Sequence, residues 1–397
     1  MKIRSLETFK INLPFRFAFA HSLASRKESS NLIVKVTLDN GCCGYGEGVP
    51  RDYVTGESID QAEQSVLSQY APHVLGISME DPQAVLASLA KSFTTLGLRE
   101  KAQGASWCAL ELAMIDACSK LHGKQAFELI GNKEQEKIRY GGVVPFGKKK
   151  ALKAILFFYK LYGFKTVKIK VGNKNLEEDI DKLKLAREIL GDACILRVDA
   201  NCAWKLDQAL RAAEAFRLFG VKSYEQPFAA DDWTALKKFS GEIPEDVIVD
   251  ESLCTLEQAR QLAEEKICDA FNVRLSKAGG LLAAKEMLQL ALSKGLKVQL
   301  GAQVGESGIL SAAARHLAVT QPMLENYEGS ANFFLLKQDI CKENLNAGPG
   351  GFADLGFAGK KNGFGLIIDD RRLVAMSEAG NDANERTASR TFKQEVV

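Results

Sequence analysis

TVKIKVG at residues 166–172 is the first of four short runs that decide the fold of this chain; the others are ILRVDAN at 195–201, SYEQP at 223–227 and VIVDES at 247–252. Each run is apolar or β-branched, which predicts a strand. The segments between the runs have the apolar periodicity of amphipathic helices. Strands that alternate with helices indicate a parallel sheet.

The same alternation extends on both sides of these runs, from about residue 138 onward. It predicts eight strands at a spacing of roughly 25 residues. The predicted strands are Arg139–Val144, Thr166–Val171, Ile195–Asp199, Ser223–Glu225, Val247–Asp250, Phe271–Arg274, Lys297–Gly301 and Glu325–Tyr327. We therefore expect an α/β protein with a closed (β/α)8 barrel. An open doubly wound sheet usually begins with a glycine-rich turn after its first strand, and none follows here.

The first part of the chain has strands followed by helices, without alternation, which predicts an α+β unit. The predicted strands are 2–12, 31–39 and 43–49, and the predicted helices are 58–73, 83–97 and 102–121. Asn40-Gly41 predicts a type I′ hairpin turn. The series Gly44-x-Gly46-x-Gly48 precedes no helix, so we interpret it as loop geometry rather than a phosphate site.

These patterns predict two domains and a tail. We expect a capping domain over residues 1–130, joined by 351–377, and a catalytic barrel over 131–350. Gly363–Asp369 is an apolar run that is expected to pair with the N-terminal sheet. Residues 378–397 are polar and are predicted to be disordered.

The composition excludes several classes of protein. The 397 residues are 46% hydrophobic and carry a net charge of only +2. Proteins that bind nucleic acid or an anionic membrane usually have a strong excess or cluster of basic residues, so neither class is expected. No run approaches the roughly 18 apolar residues that span a bilayer. The N-terminus lacks the apolar region of a signal peptide, and the nine cysteines form no C-x-x-C pair. A cytoplasmic protein is therefore expected.

Three carboxylates end three successive predicted strands: Asp199, Glu225 and Asp250. Active-site residues of such barrels lie at the carboxyl ends of the strands. Carboxylates that converge there repel one another unless a cation lies among them. Oxygen ligands without cysteine or histidine select Mg²⁺, or Mn²⁺, over zinc. The alternative is that each carboxylate caps the helix that follows it.

Lys168 and Lys170 are two residues apart in one predicted strand, so both side chains point to the same face. Two ammonium groups inside a barrel predict a catalytic pair, with pKa values lowered by each other and by a metal. A solvated edge strand is the alternative interpretation.

Further candidates occupy later strands and the loops of the first domain. Arg274 shares its parity with Asn272 and is expected to face inward, where it can bind a carboxylate or lie over a π face. Glu306 follows the seventh strand and is a candidate for substrate binding. Candidate lid residues that close over the substrate are His21, Arg26 and Tyr53.

With these motifs the chain resembles the muconate-lactonizing subgroup of the enolase superfamily. The resemblance rests on K-x-K at 168–170, D-A-N at 199–201, E-Q-P at 225–227, D-E-S at 250–252 and the GG at 279–280. It implies a divalent metal held by Asp199, Glu225 and Asp250. It also implies an enediolate intermediate, Lys170 as the base and Lys168 as its electrostatic neighbour.

The chain departs from that subgroup at Arg274, where a lysine is usual. Because arginine is a poor base, the departure favours one-base reactions, either cycloisomerisation or an elimination like that of o-succinylbenzoate synthase. The absence of D-x-D near Glu325 disfavours dipeptide epimerisation. The alternatives are a racemase or epimerase of N-acylamino acids or dipeptides, with Lys277 or another group as second base, and a non-catalytic relative that binds carboxylates. The expected partner is a small carboxylate substrate, and the family habit suggests a homo-oligomer.

Overall fold

The structure, a computed structural model, describes residues 1–20, 25–381 and 390–393. The elements of the N-terminal part are β1 (Ile3–Ala20), β2 (Ser25–Leu38), β3 (Cys43–Gly48), α1 (Asp52–Thr55), α2 (Ile59–Gln64), a π-helical segment (Ser65–Tyr70), α3 (Ala71–Val74), α4 (Pro82–Thr95), α5 (Gly104–Leu121) and α6 (Phe127–Ile130). Strands β1, β2 and β3 form an antiparallel sheet, and β1 and β2 are longer than the sequence predicts.

The elements of the barrel alternate as expected. They are β4 (Ile138–Arg139), β5 (Gly142–Val144), α7 (Lys149–Tyr162), β6 (Thr166–Lys170), α8 (Leu176–Leu190), β7 (Ile195–Asp199), α9 (Leu206–Arg217), β8 (Val221–Glu225), α10 (Trp233–Glu242), β9 (Asp246–Val249), α11 (Leu256–Glu264), β10 (Ala270–Val273), α12 (Leu275–Ala278), α13 (Leu281–Ser293), β11 (Lys297–Leu300), α14 (Gly308–Ala318) and β12 (Asn326–Tyr327).

Eight parallel strands, β5 to β12, pair in the order of the sequence. The first and last of them meet at the bridge between Tyr140 and Tyr327, where the backbone N–H of Gly141 donates to the carbonyl of Tyr327 at 2.9 Å. The predicted barrel fold is confirmed. The first predicted strand is divided, because β4 leaves the barrel and pairs with β13 (Phe352–Ala353).

The hairpin between β2 and β3 lies where the sequence predicts it, but the turn type is different. Gly41 has a φ of 84°, whereas Asn40 has no positive φ. The backbone N–H of Leu38 donates to the carbonyl of Cys42 at 2.8 Å. The connection is therefore a three-residue loop in which Gly41 alone has a left-handed conformation. Such loops are the next most common hairpin connections after two-residue turns.

The glycines of β3 lie against helix α5 and not in a loop. A Cβ added at Gly44, Gly46 or Gly48 would lie 2.0–2.1 Å from a carbonyl oxygen of that helix. Each of these residues must therefore be glycine for the helix to approach the sheet so closely. The interpretation of this series as loop geometry is wrong.

The C-terminal residues return to the N-terminal sheet by elements other than the expected one. The run Gly363–Asp369 forms only isolated bridges to Gln125 and Cys341. A short helix, α15 (Asn332–Leu335), follows the barrel strands. Helix α16 (Asp370–Asn381) packs on β1, and β14 (Arg390–Lys393) pairs with the edge of β1. The described parts of 378–397 therefore have secondary structure, in contrast to the disorder expected there. An open strand edge offers backbone partners even to a polar segment.

The division between 1–130 and 131–350 stays a prediction. None of the helices in the described part of the chain is both long and apolar enough to cross a membrane.

Candidate active site

The carboxyl ends of the barrel strands bring the predicted lysines and carboxylates together. Lys168 and Lys170 end β6, and Asp199 and Glu225 are the last residues of β7 and β8. Asp250 follows β9 directly. All five side chains are at least nine-tenths buried. The two lysines face a cavity, and the three carboxylates lie behind them.

Lys168 is the centre of an ion-pair network. Its Nζ donates to both oxygens of Glu225 at 2.9 and 3.0 Å and to Glu328 Oε2 at 2.6 Å. Burial alone would lower the pKa of Lys168, but Glu225 and Glu328 raise it above the usual lysine value. The expected lowering of its pKa is therefore wrong. The difference comes from Glu328, a second carboxylate beside Lys168 that no sequence pattern indicates.

Lys170 is held at the wall of the cavity by two acceptors. Its Nζ donates to Asp199 Oδ2 at 2.6 Å and to Asn201 Oδ1 at 2.7 Å. Burial would raise the pKa of Asp199, but Lys170 and Lys168 lower it to about 2. Asn201 has a φ of 42°. A non-glycine residue in this conformation is costly, and such positions cluster at functional sites.

Asp250 binds two cations of the sixth strand unit. Arg274 Nη2 contacts Asp250 Oδ2 and lies 3.8 Å from Glu225 Oε1. Lys277 Nζ donates to Asp250 Oδ1 at 2.7 Å, to the Asp250 carbonyl at 2.5 Å and to the Asn272 carbonyl at 3.1 Å. Arg274 lines the cavity, whereas Lys277 is fully enclosed and does not. Lys277 therefore holds Asp250 in place and is not positioned to reach a substrate.

The three carboxylates have the donor chemistry of a divalent-cation site. One ammonium, that of Lys168, lies within 3.5 Å of both Asp199 and Glu225, and the guanidinium of Arg274 lies between Glu225 and Asp250. Neighbouring carboxylates are thus close enough to share a cation, and all are hard oxygen donors. Among the described residues no three acidic, histidine or cysteine side chains already converge on one point, and Lys168 and Arg274 occupy the space between these carboxylates.

The cavity has a volume of about 510 Å³ and two different walls. One wall is polar, with Lys168, Lys170 and Arg274. The other wall is apolar and largely aromatic, with the residues Phe17, Phe19, Tyr140, Ile155, Phe158, Tyr159, Phe164, Phe334 and Leu335. The rings of Phe158 and Phe334 meet edge to face at 5.3 Å.

Two of the three candidate lid residues line this cavity. The Arg26 guanidinium lies 5.7 Å from the centre of the Tyr53 ring, and both side chains belong to the N-terminal domain. His21 lies outside the described residues. Substrate contacts of Arg26 and Tyr53 stay a prediction.

Glu306 lies in the cavity wall and is tied to its own loop. Its Oε1 accepts a hydrogen bond from the backbone N–H of Gln303 at 2.7 Å. Burial raises the pKa of Glu306 to about 8. The neighbouring Glu47 of β3 accepts from Ser307 N at 2.8 Å and Leu310 N at 3.0 Å, so it caps α14 and connects the sheet of β3 to this loop.

Three polar residues of the site were missed by the sequence argument. Arg197 pairs with Glu225 and Glu328, both at 3.2 Å. Its signal was available, because it is two residues before Asp199 and therefore faces the same way. Glu328 follows a strand of only two residues, and Gln303 lies in a loop, so neither had a periodic signal.

A (β/α)8 barrel with a lysine pair facing three carboxylates on the next three strands defines a class of enzyme. The chain belongs to the enolase superfamily: the family model described as enolase C-terminal domain-like matches residues 153–372. The resemblance drawn from the sequence is confirmed.

The chain is similar to several curated enzymes of this superfamily. It is 28% identical to the L-Ala-D/L-Glu epimerase of Bacillus subtilis, over 86% of this chain and 91% of that protein. It is also 28% identical to the N-succinyl-L-Arg/Lys racemase of Bacillus cereus, over 88% and 94%. A chloromuconate cycloisomerase of Cupriavidus pinatubonensis is 26% identical, over 82% and 86%.

Solved structures give the same picture. The N-succinyl Arg/Lys racemase from Bacillus cereus superposes with a TM-score of 0.87 at 25% identity, covering 99% of this chain and all of that one. A dipeptide epimerase from Cytophaga hutchinsonii, complexed with Mg and D-Ala-L-Val, has a TM-score of 0.82 at 25% identity, covering 94% and 99%. Most of these similar proteins are racemases or epimerases, and one is a cycloisomerase.

Proposed function

We propose that this enzyme removes and returns the proton at the α-carbon of a small carboxylate that also carries an amide, and thereby racemises an N-acylamino acid or epimerises a dipeptide. One observation carries the proposal. Lys170 presents its Nζ at the wall of the cavity, held by Asp199 and Asn201, with Lys168 beside it and Arg274 also in that wall. This arrangement suits proton transfer next to a carboxylate.

The side chains divide the work. Lys170 accepts the α-proton as the neutral amine, and its two hydrogen-bond acceptors fix where its Nζ can reach. Inversion also needs a proton delivered to the opposite face of the α-carbon, and Arg274 is the candidate cation of the cavity wall for that step. Lys168 lies beside Lys170 with its Nζ 2.6 Å from Glu328 Oε2, and as a cation it stabilises the negative charge that develops on the substrate carboxylate. Asp199, Glu225 and Asp250 would hold Mg²⁺, which supplies Lewis-acid stabilisation of that same charge when bound.

The amide-bearing substrate is more consistent with an N-acylamino acid than with a free dipeptide. A dipeptide brings an ammonium group that needs a carboxylate partner. Glu328 is committed through both oxygens, with Lys168 at 2.6 Å and Arg197 at 3.2 Å. Glu306 and Glu251, the other acidic residues of the cavity wall, each have one oxygen engaged within the protein, by the backbone N–H of Gln303 at 2.7 Å and by Asn201 Nδ2 at 3.0 Å.

Arg274 supports a second candidate function, a one-base cycloisomerisation or elimination. A racemase needs a proton carrier on each face of the α-carbon, and arginine is a poor one. Lys277 does not supply the missing base, because its three hydrogen bonds enclose it behind Asp250. Under this candidate function Arg274 binds a second carboxylate or a π system of the substrate.

Isotope exchange separates these functions. The enzyme is incubated in deuterium oxide with Mg²⁺ and each enantiomer of a panel of N-acylamino acids and dipeptides, and mass and optical rotation are followed. We expect deuterium at the α-carbon together with inversion from both enantiomers. Exchange of one enantiomer with retention would instead support the one-base function. Binding without exchange across the panel would contradict both and support a non-catalytic relative.

We further propose that the ion is Mg²⁺, with Mn²⁺ as the alternative, and that the protein is a cytoplasmic homo-oligomer. Support for the ion comes from the oxygen donors and from the Mg in the similar structure of the Cytophaga hutchinsonii dipeptide epimerase. Metal analysis of the purified protein tests the first point, and light scattering after size-exclusion chromatography tests the assembly.

A further inference from the structure

Gln303 is a polar side chain without a partner in the wall of the cavity. It lies in the loop between β11 and α14 and is only 5% exposed. Both its Nε2 and its Oε1 are buried, and neither makes a hydrogen bond within the protein. Its side chain lines the same cavity as Lys168 and Lys170.

A buried carboxamide in this state is expensive. Each unpaired donor or acceptor loses its hydrogen bonds to water without replacement. Native structures satisfy the large majority of such groups, so an unsatisfied pair of atoms on one side chain needs an explanation. The backbone of Gln303 is well anchored, because its N–H donates to Glu306 Oε1 at 2.7 Å. The residue is therefore held in the cavity wall by its loop, while both polar atoms of its amide are left without a partner inside the protein.

The two unpaired atoms of the Gln303 amide indicate which groups a ligand must have to bind there. Oε1 needs an N–H or O–H donor, and Nε2 needs an acceptor such as a carbonyl or carboxylate oxygen. A secondary amide next to a carboxylate provides both within a few bonds. The aromatic wall formed by Phe158, Phe164 and Phe334 indicates an apolar substituent on the same molecule.

We propose that Gln303 is a specificity-determining residue that binds the substrate's amide: its Oε1 accepts the amide N–H, and its Nε2 donates to an oxygen of the same ligand, an N-acylated amino acid with an apolar side chain. The inference rests on the proposed function for the identity of the reacting carboxylate. It adds the requirement for an amide N–H.

The test compares an amide with the matching ester. N-acetyl-L-phenylalanine has the N–H, and O-acetyl-L-phenyllactate has an oxygen in its place. Dissociation constants are measured by calorimetry with Mg²⁺ present in Lys170→Ala, so that turnover does not interfere, and in Lys170→Ala/Gln303→Met. We expect Lys170→Ala to prefer the amide by about 10- to 100-fold, the usual range for one buried hydrogen bond. In the Gln303→Met background the preference is expected to fall to within about threefold.

Gln321→Met is the matched control. Gln321 is equally buried, but its amide bonds Thr320 and it is not part of the cavity wall. The ratio of the amide and ester dissociation constants is compared among Lys170→Ala, Lys170→Ala/Gln303→Met and Lys170→Ala/Gln321→Met. Intrinsic differences between ester and amide cancel, because they are the same in all three backgrounds. A variant that loses its circular dichroism spectrum is replaced by Gln303→Leu.

The outcomes separate this inference from the proposed function. Equal affinity for amide and ester in Lys170→Ala, or an unchanged preference in the Gln303→Met background, overturns the role of Gln303 even if the wild type exchanges α-protons. A preference that depends on Gln303 without any exchange by the wild type supports Gln303 and overturns the proton chemistry. Binding of neither ligand overturns the role of Gln303, and the proton chemistry is then decided by the exchange assay alone.

Discussion

Replacement of Glu306 by glutamine tests whether the loop beyond β11 carries a neutral carboxyl group at physiological pH. Burial raises the pKa of Glu306 from 4.5 to about 8. Between these values the folded protein binds a proton that the unfolded chain releases. The stability contribution of this group is therefore complete below pH 4.5 and is lost as the pH rises toward 8. From pH 5 to pH 8 the loss amounts to roughly 3 to 4 kcal/mol in the free energy of unfolding.

Glutamine has the shape of the protonated acid, and its Oε1 can still accept from the backbone N–H of Gln303. The free energy of unfolding is measured by urea titration at pH 5, 6, 7 and 8. Between pH 5 and pH 8 it is expected to fall by roughly 3 to 4 kcal/mol less in Glu306→Gln than in the wild type. Glu264→Gln, at an exposed position of α11, is the control and is expected to follow the wild type. Parallel profiles for Glu306→Gln and the wild type would refute the buried, protonated state.

Three further perturbations address the chemistry and the packing. Lys170→Ala is expected to slow α-proton exchange by roughly 10²- to 10⁴-fold, measured by mass spectrometry, whereas Lys184→Ala on the exposed side of α8 retains the wild-type rate. Arg274→Lys is expected to retain much of the exchange. It is also expected to bind Mn²⁺ more tightly by electron paramagnetic resonance, because the shorter side chain with a single nitrogen competes less for Asp250; weaker Mn²⁺ binding would contradict this. Gly46→Ala is expected to lower the free energy of unfolding by about 1 to 3 kcal/mol or more through overpacking against α5, whereas Gly241→Ala, which has open space around it, does not; equal effects in urea titrations would count against the packing argument.

Regular alternation made the barrel predictable from the sequence. The βα spacing located all eight strands, and the position of each carboxylate at a strand end placed the three together. The i and i+2 spacing of Lys168 and Lys170 also predicted that both face the same side of β6, as they do. These features depend on local periodicity, which the sequence contains.

The remaining features depend on contacts between distant residues. Glu328 pairs with Lys168 and Arg197 across the barrel, and nothing near residue 328 indicates those partners. Strand β14 pairs with β1 although their sequence separation is almost the whole chain. The empty hydrogen bonds of Gln303 are visible only when every neighbouring side chain is in place. Sequence patterns therefore indicated the proposed catalytic lysines and not Gln303, the residue proposed to bind the substrate amide.

The glycine series of β3 has a consequence for engineering this enzyme. Gly44, Gly46 and Gly48 hold β3 directly against α5, and Gly104 at the start of that helix meets the Lys277 backbone in the same close manner. The backbone of α5 therefore lies directly against β3 on one side and against the barrel backbone at Lys277 on the other, with no side chain between them. Residues 51–56 begin three residues after Gly48, the last of these glycines in β3. A library that varies this loop can change which substrates the cavity accepts, while the position of β3 against α5 stays the same. Transplanting such a loop from a relative is expected to succeed only when the recipient retains all four glycines.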